Sequence, residues 1–168
     1  MSIRPFILLG AVAAALAACA PTPGPYGPVQ PAAFRADDFA WSQAAGQSSI
    51  EGRVAFTQDG KSYACVGSAG LTPDTPYTRA RFRTLYGSTE RAVVPAAVVR
   101  ARDAGEAGGD YRAYVRSETC DGGRFSFADL PDGDWFLIVP VRAEGDEGPL
   151  VLMRHVTTRG GRVVSVTL

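Results

Sequence analysis

Three cysteines and one histidine are the most chemically committed side chains of this 168-residue sequence. Cys19 closes the tetrad Leu16-Ala17-Ala18-Cys19, behind one positive side chain, Arg4, and an apolar run that starts at Phe6. A basic start, a short apolar middle and a small-residue cleavage site make a secretory signal, and a cysteine directly after the site makes it a lipobox. The expected chemistry is a thioether between the Cys19 thiol and a diacylglycerol in a bacterial envelope, with Cys19 as mature N-terminus and a further acyl chain added. An ordinary cleaved signal or a short membrane helix are the alternatives. Each buried methylene contributes about 0.8 kcal/mol, so several acyl chains hold far more firmly than one. Ala20 stands where lipoproteins retained in the inner membrane often carry aspartate, so the expected destination is the outer membrane, with the domain facing the periplasm.

With Cys19 acylated, Cys65 and Cys120 remain as an even pair in an oxidising compartment, and a disulfide between them is expected. Closing a loop of about 55 residues contributes roughly 4 kcal/mol in the chain-entropy account. A redox-active pair or a metal site fits less well. There is no C-x-x-C, and two cysteines with one histidine fall short of a closed zinc site.

His155, in Leu152-Met153-Arg154-His155-Val156, reads as a strand residue. No general-base partner is recognisable beside it, and no serine lies in a nucleophile-elbow pattern. Asp129, Asp132 and Asp134 surround a turn and offer oxygen ligands for calcium, but the rest of an EF-type loop is missing and Asp132-Gly133 is ordinary turn chemistry. No metal and no cofactor is therefore expected.

A basic stretch, Arg79, Arg81, Arg83, Arg91, Arg100 and Arg102, faces only Glu90 and Asp103. Guanidinium forks suit phosphate and carboxylate, and tyrosines stack on sugars. Tyr77, Arg79, Arg81, Arg83 and Tyr86 thus form a candidate binding surface, with Tyr111 nearby, the plain alternative being the solvated side of a strand. Lys+Arg 17 against Asp+Glu 17 disfavours a nucleic-acid partner. An envelope protein or a glycan is the expected one, besides the membrane itself.

Residues 1–18 are the signal and 19–47 a linker, proline-rich over Pro21 to Pro31. Polyproline geometry at roughly 3.1 Å per residue would hold a domain on the order of 50 Å from the bilayer. Residues 48–168 have the composition of one domain. Ile50 to Phe56 and Ser62 to Val66, around Asp59-Gly60, predict a hairpin. Gly123 to Phe127, the turn Leu130-Pro131-Asp132-Gly133 and a buried run Trp135 to Val139 form the clearest strand signal, followed by Leu150 to Val156, Arg159-Gly160-Gly161 and Val163 to Val166. Residues 76–87 have both a helical start, Thr75-Pro76, and an alternation of arginines, and extended or irregular structure is favoured. Val93 to Arg102 and Tyr111 to Arg116 are read as further strands. Short strands separated by turn residues predict an all-β sandwich.

The run Gly52-Arg53-Val54, Cys65-Val66-Gly67 with Leu71-Thr72-Pro73-Asp74-Thr75-Pro76-Tyr77, and Asp121 to Phe127 with Leu130 to Trp135 resembles the carboxypeptidase regulatory-like domain. The resemblance covers most of the chain after Ser48. It implies a transthyretin-like Greek-key β-sandwich and an accessory role, since the domain carries no catalytic residues beside its peptidase. Enzymes of that architecture, hydroxyisourate hydrolases and intradiol dioxygenases, need more than one histidine. The resulting expectation is a non-enzymatic, lipid-anchored envelope protein acting as a binding or scaffolding module. The alternatives are a carbohydrate-binding module for peptidoglycan or lipopolysaccharide, and a small enzyme using His155.

Overall fold

The computed structural model of the protein describes residues 32–102, 111–145 and 148–168. The lipobox, Cys19 and the proline-rich run to Pro31 lie outside the described residues.

Strands dominate, in two sheets. In the smaller, β1 (Ser48–Arg53) is central, antiparallel to β7 (Arg124–Leu130) and parallel to β10 (Val163–Thr167). The larger is built on β8 (Gly133–Ala143). Along one edge of β8 run β4 (Ser68–Pro73) and β3 (Lys61–Cys65), and along the other β9 (Leu150–Thr158). Beyond these, β2 (Thr57–Gln58) pairs with β3, β6 (Arg116–Thr119) with β4 and β5 (Arg91–Pro95) with β9.

Alternation explains how the sheets share a core. Ile50, Phe125, Phe127, Leu130 and Val166 of the small sheet meet Leu71, Trp135, Leu137, Val139, Val141, Leu152 and Val156 of the large one. The Trp135 indole N–H, fully buried, donates to Thr158 Oγ1 at 3.0 Å, and that hydroxyl donates to the Pro131 carbonyl at 2.7 Å. A buried polar atom is thereby satisfied. The other face of β8 carries Phe136, packed at 4.5 Å between ring centroids against Phe82 of α1 (Pro76–Tyr86). β8 is therefore apolar on both faces, as its uninterrupted run predicts.

Glycine pairs mark where the chain changes sheet. Gly122 and Gly123 have φ of 54° and 77°, and Asp121 and Arg124 exchange two backbone hydrogen bonds of 2.8 Å. Two positive φ values in a two-residue turn are the hairpin geometry that matches strand twist, and only glycine adopts both without strain. The turn carries the chain from β6 in the large sheet to β7 in the small one. Cys65 and Cys120 form the expected disulfide, with Cα atoms 6.0 Å apart, which ties the β3 end to this crossing.

Several sequence expectations differ from the structure. The Asp59-Gly60 hairpin is confined to β2 and β3, because β1 pairs instead with β7 and β10 in the other sheet. Residues 76–86 are helical, not extended. Thr75 and Thr78 form a capping box, Pro76 sits in the first turn, and Gly87 closes the helix at φ 74°. Buried Thr78, Phe82 and Leu85 repeat at helical spacing, so the arginine alternation was coincidental. The strand read over Val93 to Arg102 stops at Pro95, and alanine-rich Ala96–Ala101 forms a second helix, α2. Tyr111–Tyr114 is a 3-10 turn that precedes β6.

Part of the segment read as linker is also folded. Ala36–Gln43 is a 3-10 helix whose Phe39 and Ser42 are fully buried. Trp41 lies against Gly133, where a Cβ would fall 2.1 Å from its ring, and stacks edge-on to Trp135 at 4.8 Å.

Candidate functional site

Because Ile50, Gly52, Phe125, Phe127 and Val166 face the core, the intervening residues of the small sheet face outward and are exposed. Register arranges them in two rows. Glu51 on the central strand lies between Ser126 and Ser165, and Arg53 between Arg124 and Thr167. These residues line an open groove of about 720 Å³, within the range of small-ligand sites, about 300–1,000 Å³. One row supplies a carboxylate flanked by hydroxyls, the other two guanidinium forks and a hydroxyl. Such a surface offers both acceptors and donors, the complement of a polyhydroxylated ligand.

A second cluster lies on the large sheet. The Asp74 side chain is 2% exposed and accepts hydrogen bonds from Nε and Nη2 of Arg79 and from Nε2 of His155, the last at 2.8 Å. The Asp74 hydrogen bond, ahead of a smaller opposing effect of burial, raises the Arg79 pKa above its ordinary value. His155 thus has the carboxylate partner that the sequence did not reveal, 81 positions away. Asp74 is occupied on both oxygens, which makes the trio a clamp from the α1 start to β9.

The sequence-predicted surface is dispersed by the helix. Arg79 is held by Asp74, Arg81 lies over the Tyr111 ring at 5.4 Å, and Arg83 is exposed. Tyr77 is buried among Phe34 and Tyr111, and half-buried Tyr86 meets Phe82 edge to face. Burial, followed by the neighbouring Tyr111, pushes the Tyr86 phenol up to about 12. The three aspartates are separately engaged or apart. Asp132 accepts from the Gly160 N–H and the Ser48 hydroxyl, Asp134 from Thr157, and Asp129 stands exposed. Among the described residues no three acidic, histidine or cysteine side chains gather as a metal site.

Sequence reasoning missed the groove. Its signal was present in the polar members of Glu51-Gly52-Arg53, Arg124-Phe125-Ser126 and Ser165-Val166-Thr167. Which strands lie side by side is a long-range fact that alternation does not encode.

No family model matches the chain, and no curated protein sequence does. The carboxypeptidase regulatory-like resemblance is accordingly not reproduced there. Among solved structures, the chain is similar to one from Pseudomonas aeruginosa described as "a putative carbohydrate binding protein". The TM-score is 0.57 at 22% identity, over 80% of this chain and 97% of the other. The two share a β-rich fold.

Proposed function

We propose that this chain is a non-catalytic glycan-binding module of the bacterial envelope, anchored at the outer membrane through lipidated Cys19 and facing the periplasm. Its sandwich is of the transthyretin-like Greek-key type expected of a carboxypeptidase regulatory-like domain. The groove across β1, β7 and β10 is the observation that carries the reading, since its mixed rows suit ring hydroxyls. The description of the Pseudomonas aeruginosa protein supports carbohydrate over protein as the ligand. Against catalysis stands the surrounding of His155: its hydrogen bonds run to the Asp74 carboxylate and, through its backbone N–H, to the Glu90 carbonyl, and no hydroxyl or thiol that it could activate is among these partners.

The test uses the full-length chain in detergent micelles on an array of peptidoglycan fragments, lipopolysaccharides and oligosaccharides. Retention of a glycan is expected, and Ser165→Trp, which fills the groove from an exposed position, should abolish it. A blank array, or binding indifferent to the tryptophan, would refute the reading. Mass spectrometry of the mature N-terminus, expected to find acyl chains on Cys19, tests the anchor separately.

A further inference from the structure

Arg53 and Arg124 are directly opposite each other on adjacent strands, an arrangement that repels. Among the described residues neither guanidinium has a carboxylate within ion-pairing distance, although Glu51 and Asp121 also line the groove. The opposed pair therefore lacks a direct ion pair in the folded chain, even though the groove as a whole carries as many carboxylates as guanidiniums. A bound anion placed between the two forks would relieve it, with the Thr167 hydroxyl as an additional donor. We infer that the groove selects saccharides bearing a carboxylate, held by Arg53 and Arg124, while Glu51, Ser126 and Ser165 engage the ring hydroxyls.

This rests on the glycan-binding reading and adds the substrate class. The charges argue for a monoanion. Glu51 and Asp121 balance the two arginines, so a dianionic phosphate would leave the lined groove with surplus negative charge, whereas a carboxylate leaves half that excess. Arginine is suited to the task, because its planar fork meets a carboxylate with two parallel hydrogen bonds. The placement follows from the fold. The Gly122-Gly123 turn starts β7 at Arg124, and the pairing of β1 with β7 brings Arg53 opposite it.

Matched probes test the inference: oligogalacturonate against its methyl ester, and sialyllactose against lactose, titrated calorimetrically into the full-length chain in neutral detergent. At least one acid should bind about tenfold or more tightly than its neutral partner, roughly the effect of one retained charge-assisted hydrogen bond. Arg53→Gln and Arg124→Gln should each erase that preference, and the lysine replacements should keep part of it. Glu51→Gln should weaken acid and neutral probes together. Equal affinities within both pairs, or a preference that survives both glutamine variants, would overturn the inference. If neutral glycans bind and Ser165→Trp blocks them while no acid preference exists, the glycan reading stands and the carboxylate inference falls. If the array is blank as well, both fall. Unfolding midpoints of the exposed-arginine variants that do not fall exclude misfolding as the cause of any loss.

Discussion

Replacing Gly52 with alanine probes how tightly the core is packed beneath the groove. Gly52 is buried in the central strand of the small sheet, opposite Phe125. A Cβ there would fall 1.9 Å from Phe125 Cζ and 2.0 Å from Cε2. Gly52 does not have a positive φ, so alanine fits the backbone and the conflict is steric alone. Removing glycine's freedom in the unfolded chain favours alanine by about 0.4–1 kcal/mol. Forcing a ring out of a packed core costs about 1–3 kcal/mol, and Phe125 has little room, being 5% exposed and edge-on to Phe127 at 6.0 Å. The net expectation is a loss of about 1–2 kcal/mol, which at a slope of about 2 kcal/mol/M moves the urea midpoint down by roughly 0.5–1 M. Phe125→Leu alone should cost about 1–2 kcal/mol through the space it leaves. In the double variant leucine vacates the volume that the alanine methyl needs, so the two losses should fall short of additivity by about 1 kcal/mol. The assay is equilibrium urea unfolding of all four proteins with the disulfide intact. Additive losses, or an alanine variant as stable as the parent, would refute the contact.

Three further outcomes follow from other parts of the molecule. Cys65→Ser with Cys120→Ser should lower stability by about 4 kcal/mol, because the bridge closes a separation of 55 residues, measured as the shift in urea midpoint. Asp74→Ala should cost about 2 kcal/mol and Arg79→Ala less than about 1 kcal/mol in the same assay. The carboxylate is buried and has two partners, whereas the Arg79 side chain is 47% exposed and solvent screens its pairing. Tyr86 is harder to ionise when folded, at about 12 against 10.0 for the free phenol, so the unfolded chain loses its proton first. The resulting stabilisation is complete below pH 10, declines as pH rises towards 12, and amounts to about 2–3 kcal/mol; alkaline unfolding of Tyr86→Phe should lack that component.

The parts legible in the sequence were those fixed by neighbours. The apolar run Trp135 to Val139, the turns at Asp59-Gly60 and Arg159-Gly160-Gly161, and the even pair Cys65 and Cys120 depend on local pattern or on counting. Residues 76–86 show where local signals compete. Thr75-Pro76 and the arginine alternation pointed in opposite directions, and burial of Phe82 against Phe136 decided between them. The fold of residues 36–43 was hidden for a different reason. Phe39 and Trp41 are isolated in a polar segment, and their value appears only when Gly133 and Trp135 are brought beneath Trp41. Asp74 and His155, like Arg53 and Arg124, are partners across strand pairings, so no window of sequence contains them both.

The two sheets divide the surface unequally, and that division bears on where a ligand can bind. Sheet residues facing away from the shared core must be covered or polar. In the large sheet Phe136, Ile138 and Met153 are apolar on that side, and α1 with α2 covers them through Phe82, Leu85 and Val99. The Asp74 clamp holds the start of that cover to β9. In the small sheet the corresponding positions include Glu51, Arg53, Arg124, Ser126, Ser165 and Thr167, which need no cover, with Val163 at the start of β10 the exposed apolar exception. A face that is polar for solubility would ordinarily pair its charges. Here two arginines are opposed and glutamate is left to the neighbouring row, an ordering that costs stability unless something binds. For this reason the effect of charge on stability and on binding should have opposite signs. Arg124→Gln should raise the unfolding midpoint slightly by removing the repulsion, by about 0.2–1 kcal/mol, while weakening any acidic ligand. An arginine kept only for solubility would show the first effect without the second.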